Sequence, residues 1–147
     1  MTKKLYWEDV EEGMELPHLV KRPNTQQLVK WAGASGDYYQ IHYDTAFAQA
    51  NGLPGVIVHG ALKNAFLGQL VTDWIGEYGT LKRLSCQYRG MDVPEDTLTS
   101  KGKVVRKYQE DDQCLVDCEI WIENGRGETT TPGAATVALP SRAIPLT

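Results

Sequence analysis

At 147 residues, with 41% hydrophobic and 23% charged residues, the chain has the size and make-up of one globular domain spanning 1–147. A net charge of −4, with no Lys/Arg cluster, argues against a nucleic-acid surface, although an anionic cofactor needs only a few local cations. Lys3 and Lys4 are followed by no apolar run, and no stretch approaches the roughly 18 apolar residues of a membrane span. Cys86, Cys114 and Cys118 make an odd count without an export signal, so reduced thiols and a cytoplasmic location are expected.

In chain order, the first expected element is a short strand around Met14 to Val20. Pro23 then precedes Asn24, which with Gln27 three residues later has the pattern of a helix N-cap. Leu28, Trp31 and Ala32 fall at i, i+3 and i+4, which predicts a short amphipathic helix ending near Gly33. Asp37 to His42 reads as a loop. Asp44 caps a second short helix from Thr45 to Asn51, stopped by Gly52 and Pro54. The longest helix covers 60–76. Apolar residues occupy most of its circumference, and Lys63, Asn64, Gln69, Thr72 and Asp73 leave only a narrow polar stripe, so other elements must wrap it.

After Gly76 the period shortens to two, which predicts four strands: Thr80 to Val93, Thr97 to Tyr108, Gln113 to Glu123 and Thr129 to Leu139. In the third, Cys114, Val116, Cys118, Ile120 and Ile122 share one face, while Asp117, Glu119 and Glu123 share the other. Cys114 and Cys118 are therefore core thiols, and no His or Cys partner lies at metal-ligand spacing from them. Trp74 and Phe66 read as core, and Lys82, Arg83, Arg89 and His18 as surface. The class is α+β, with a curved antiparallel sheet of about five strands wrapped around one apolar helix.

Two stretches carry chemistry. Ser35-Gly36-Asp37-Tyr38-Tyr39-Gln40-Ile41-His42 sets a carboxylate and an imidazole five residues apart in a segment of poor helix propensity. Gly55-Val56-Ile57-Val58-His59-Gly60 then ends an apolar run in His-Gly at the start of the long helix. A helix start offers free backbone N–H groups to a developing negative charge.

Gly36-Asp37-x-x-x-Ile41-His42, Ile57-Val58-His59-Gly60 and Tyr88-Arg89-Gly90-Met91-Asp92-Val93-Pro94-Glu95-Asp96-Thr97-Leu98 together resemble, in order, the signature blocks of the MaoC-like dehydratases, or (R)-specific enoyl-CoA hydratases. The resemblance spans about residues 10 to 140. It implies a hotdog fold and the interconversion of trans-2-enoyl and 3-hydroxyacyl thioesters. It further implies that Asp37 and His42 are the acid/base pair, that the Gly60 N–H is the oxyanion donor, and that Tyr39, Val58 and His59 line the substrate site. No cofactor or metal is implied. The implied substrate is an acyl-CoA or acyl carrier protein thioester, and the implied assembly is a homodimer, with a heterodimer as the alternative.

The family signature has Asn-Pro where this chain has Tyr39-Gln40, and Pro and Gly where it has Met91 and Glu95. Two other readings stay open: a thioesterase on the same fold, and a non-catalytic acyl-CoA-binding half of a heterodimeric dehydratase.

Overall fold

The computed structural model describes residues 3–144. A short 3-10 turn at Trp7–Asp9 leads to β1 (Leu19–Lys21) and α1 (Thr25–Ser35). A second 3-10 turn at Gln40–His42 leads to α2 (Thr45–Ala50) and then α3 (Gly60–Ile75). Four strands follow: β2 (Thr80–Cys86), β3 (Leu98–Glu110), β4 (Gln113–Glu123) and β5 (Thr129–Leu139). They form one antiparallel five-stranded sheet with β1, in the order β1-β3-β4-β5-β2.

Both expected caps are present. Asn24 Oδ1 accepts from Gln27 N at 2.9 Å, and Asp44 Oδ1 accepts from Phe47 N at 3.0 Å. The first helix, α1, runs two residues past the expected Gly33. It ends where Gly36 takes a left-handed conformation (φ 80°), which closes a helix at no steric cost for glycine.

Helix α3 is the core. Leu67 and Val71 are fully buried, and Phe66, Leu70, Trp74 and Ile75 nearly so. The sheet meets it with Val104, Val116, Cys118, Ile120, Ile122 and Val137. Register shifts between Val104 and Arg106 in β3, and between Leu81 and Arg83 in β2, bend the sheet around the helix. Burial pushes the Cys118 thiol up to about 12, so it stays protonated as a core group.

Two expected boundaries are corrected. The first strand was expected over Met14 to Val20; only Leu19–Lys21 forms continuous ladder, with a single bridge from Glu15 to Lys103 before it. The strand from Thr80 stops at Cys86 and does not continue to Val93. Gln87 N donates to Pro132 O at 2.8 Å, but Pro132 has no N–H to donate in return. Arg89 N and Gly90 N then both turn onto Thr130 O, at 3.0 and 2.9 Å, and the ladder is lost. The freed segment folds back over the start of α3, where Val58 N donates to Asp92 O at 2.8 Å.

Candidate active site

The turn Gln40–His42 places the His42 ring against the chain entering α3. His42 Nδ1 lies 2.8 Å from Ile57 O, and a carbonyl can only accept, so Nδ1 carries the hydrogen. Whenever the ring is neutral, Nε2 is therefore the lone-pair nitrogen, and it lies 3.8 Å from the Asp37 carboxylate. Asp37 is half exposed, and its other oxygen accepts from Tyr39 N at 3.3 Å.

His59 is fully buried beneath this pair. Its ring stacks on His42 with centroids 3.8 Å apart and planes at 20°. Its Nε2 donates to Asp37 O at 3.3 Å, which ties the backbone of the acid to the start of α3. Burial first, and then the neighbouring His42, depress the basicity of His59, so this ring is a neutral support.

A cleft of about 300 Å³ opens beside His42; Asp37 and His59 are not among the residues that line it. His42, Val58, Gly60, Lys63, Tyr88 and Met91 are among the residues that line it. The structure thus brings Asp37, His42 and His59 together, and sets Val58 and Gly60 on the cleft with His42. Tyr39, expected in the substrate site, is not among the residues lining the cleft; it is half exposed, with its ring edge-on to His42 (6.3 Å) and to Phe47 (6.0 Å). His59 gives α3 no side-chain cap, so the first turn of the helix offers its N–H groups at Gly60. The Tyr88 ring packs against Gly60 on the side a side chain would take: a Cβ added at Gly60 would lie 2.8 Å from Tyr88 Cε2. A larger groove of about 520 Å³ lies elsewhere, lined by Arg83, Asp117 and Thr136 among others, and has no imidazole.

Ligating atoms of Asp37, His42 and His59 lie within 4.8 Å of one another, which is close enough to raise a metal ion. The stacking argues against that use. Nearly parallel rings send their in-plane lone pairs alongside each other instead of to a common point.

Sequence reasoning missed two features. Lys63, assigned to a polar stripe, is 2% exposed and ion-paired with Asp92 at 3.0 Å. Tyr88 lies on Gly60. The available signal was a lysine three residues after Gly60, hence on the same face of a helix that is mostly apolar.

A five-stranded antiparallel sheet curled around one long helix is the hotdog fold, and the structural neighbours share it. Residues 9–120 match the MaoC like domain, and the chain belongs to that family, the MaoC-like dehydratases. The (R)-hydratase from A. caviae involved in PHA biosynthesis is 25% identical, with a TM-score of 0.80 over 90% of this chain and 99% of that one. R-hydratase PhaJ1 from Pseudomonas aeruginosa shows the same fold at 20% identity, with a TM-score of 0.84 over 95% of this chain and 88% of that one.

Among curated proteins, the fatty acid synthase beta subunit TOXC of Cochliobolus carbonum is 30% identical over 100 residues, 63% of this chain and 5% of that one. A fatty acid synthase subunit beta of Aspergillus oryzae is 38% identical over 72 residues, 47% of this chain and 4% of that one. The chain thus spans about a twentieth of the length of these relatives. Family membership and the (R)-hydratase neighbour support a hydratase/dehydratase activity. No described helix is long and apolar enough to cross a membrane.

Proposed function

We propose that the chain, as one hotdog domain, interconverts trans-2-enoyl and 3-hydroxyacyl thioesters, with acyl-CoA as the substrate and without a metal or redox cofactor. The observation that carries this reading is the His42 Nε2 lone pair. It stands 3.8 Å from the Asp37 carboxylate, and His42 itself lines a cleft whose wall includes the first residue of α3.

The tautomer sets the roles. A water held between Asp37 and His42 Nε2 adds its oxygen to C3 of the enoyl thioester, and its proton passes to Nε2. The electron pair moves to the thioester oxygen, which the Gly60 N–H holds as the enolate. The imidazolium then returns the proton to C2 on the same face. Asp37 orients the water and stabilises the imidazolium while it exists. Dehydration runs the same steps backwards.

Two neighbours of the pair shape its site in this reading. Neutral His59 keeps the His42 ring in plane without competing for the proton, and Tyr39 fills the place where the family pattern has Asn.

The test is crotonyl-CoA with the purified chain, following loss of enoyl absorbance and release of free thiol in parallel. Hydration without thiol release is expected, and thiol release would transfer the assignment to a thioesterase. Asp37→Asn and His42→Ala should each lower turnover by about 10²-fold or more with the fold intact. Gly60→Val should abolish binding at the carbonyl site. Near-normal turnover in the first two variants would sink the acid/base pair.

One observation favours a second reading, that the chain works as one half of a heteromer. The departure at Tyr39-Gln40 removes the Asn of the family pattern, and a similar structure is that of a ChsH1-ChsH2 complex from Mycobacterium tuberculosis (22% identity, TM-score 0.78). A chain inactive alone and active only with a partner would support it.

A further inference from the structure

Lys63 is the buried charge that the proposed reaction does not use. Its ammonium donates to Asp92 Oδ2 at 3.0 Å and to Gly90 O at 2.9 Å. Thr130 Oγ1 donates to the same Asp92 oxygen at 2.6 Å. Lysine, aspartate and threonine are all nearly inaccessible, at 2%, 2% and 4% exposure. A buried ion pair rarely stabilises a fold more than apolar side chains of the same volume would, so stability alone does not account for it. What the pair does achieve is geometric. It joins the first turn of α3 to the segment that leaves β2 and to β5.

That segment carries Tyr88. The Tyr88 ring is 56% exposed, so surrounding packing does not fix it. It lies against the Gly60 backbone, has the Lys63 ammonium 5.8 Å from its ring centroid, and meets the Cys86 thiol at the end of β2 with its hydroxyl. Residues 89–92 are held by Arg89 N and Gly90 N on Thr130 O, by Gly90 O and the Asp92 carboxylate on Lys63, and by Asp92 O on Val58 N. Gly90 suits this anchoring, because a Cβ there would lie 3.1 Å from Thr130 Cβ.

We propose that Lys63 is a positioning residue for the acyl site: through Asp92 it anchors residues 88–92 and so holds Tyr88 over Gly60, which sets how wide the cleft opens beside the thioester carbonyl. This rests on the reading that the cleft takes the thioester. Lys63 touches no reacting atom, and its charge is neutralised by Asp92. Its effect therefore falls on substrate binding more than on the chemical step.

Kinetics and hydrogen exchange on the full chain test it. Lys63→Met should raise KM for crotonyl-CoA about tenfold with kcat within about threefold, since the Asp37/His42 pair is left in place. Tyr88→Ala should raise KM similarly, and Lys63→Met/Tyr88→Ala should be no worse than Tyr88→Ala, because one residue acts through the other. Lys63→Met leaves Asp92 buried and unpaired, so Lys63→Met/Asp92→Leu, which removes both charges, is the folding control. It should melt above Lys63→Met, since no buried charge is left unpaired, and reproduce the KM rise. Multiplicative effects of Lys63→Met and Tyr88→Ala, or a fall in kcat at unchanged KM, would overturn the proposal.

Exchange separates this outcome from failure of the functional reading. In Lys63→Met/Asp92→Leu the Arg89 and Gly90 amides should exchange at least tenfold faster while those of residues 66–72 in α3 do not change. Unchanged exchange at Arg89 and Gly90 refutes the anchor whatever the chain acts on. A wild-type chain without hydratase activity refutes the thioester role of Lys63 together with the functional reading, even if the exchange result stands.

Discussion

His59 shows how one residue links the fold to the site. Its ring is buried, stacked on His42, and has no partner at Nδ1. Burial lowers its pKa below the ordinary 6.5, so between 6.5 and the depressed folded value the unfolded chain binds a proton that the folded chain refuses. Stability therefore falls as pH drops through this window. The carboxylates of Glu8, Asp9 and Glu128 are also held below their ordinary values, by hydrogen bonds from Ser141, Arg142 and Arg126 respectively, and their contribution is lost only at lower pH. Thermal melts from pH 7.5 to 5 should show the wild-type Tm declining with acid and His59→Gln declining less. Parallel curves for the two proteins would mean that His59 does not stay neutral in the fold.

The approach of Asp37 to His42 was legible because their five-residue spacing and the His-Gly helix start form a pattern. Lys63 was not. A lysine on a helix surface has a solvated reading by default, and only the fold back of residues 87–93, which the sequence did not announce, brings Asp92 to it.

At the scale of elements, the departures from the family pattern can be given a physical weight. Glu95 stands where that pattern has Gly, and its φ is 72°, in the left-handed region that glycine enters freely. Its amide still donates to Pro23 O at 2.8 Å, so the turn is held by the backbone and the side chain is what it strains. A left-handed non-glycine residue costs roughly 1–2 kcal/mol, and glycine gives back about 0.5–1 through unfolded-state entropy. Glu95→Gly should therefore raise stability by roughly 0.5–1 kcal/mol, or roughly 2 °C in melting temperature. A fall in Tm would mean that the Glu95 side chain makes a contribution outweighing the strain.

The same logic explains which boundaries were readable. The capped ends of α1 and α2 follow from Asn24 and Asp44, whose short side chains leave few alternatives. The end of β2 depended on Pro132, more than 40 residues away in sequence and opposite only after the sheet has formed.

For the whole molecule, the sheet order leaves β1 and β2 as edges. β1 is three residues long, whereas β2 has seven, with Lys82 and Arg83 exposed. Unpaired strand edges invite a partner, and β2 is the longer invitation. If two copies pair along β2, a two-fold axis through its middle places Arg83 opposite its own copy and the two Lys82 side chains close by. Like charges facing across a strand pair weaken it, and salt screens them. A homodimer built this way should tighten as salt is raised from about 20 to 500 mM, which sedimentation equilibrium of the purified chain would read as a rising dimer fraction. Arg83→Glu should reduce the salt effect little, since it only exchanges one like pair for another. Arg83→Gln should bring the low-salt dimer close to the high-salt one. A chain that stays monomeric at every salt concentration would rule out self-pairing along β2 and favour an unlike subunit with an acidic edge, which would also answer to the heteromeric reading of the site.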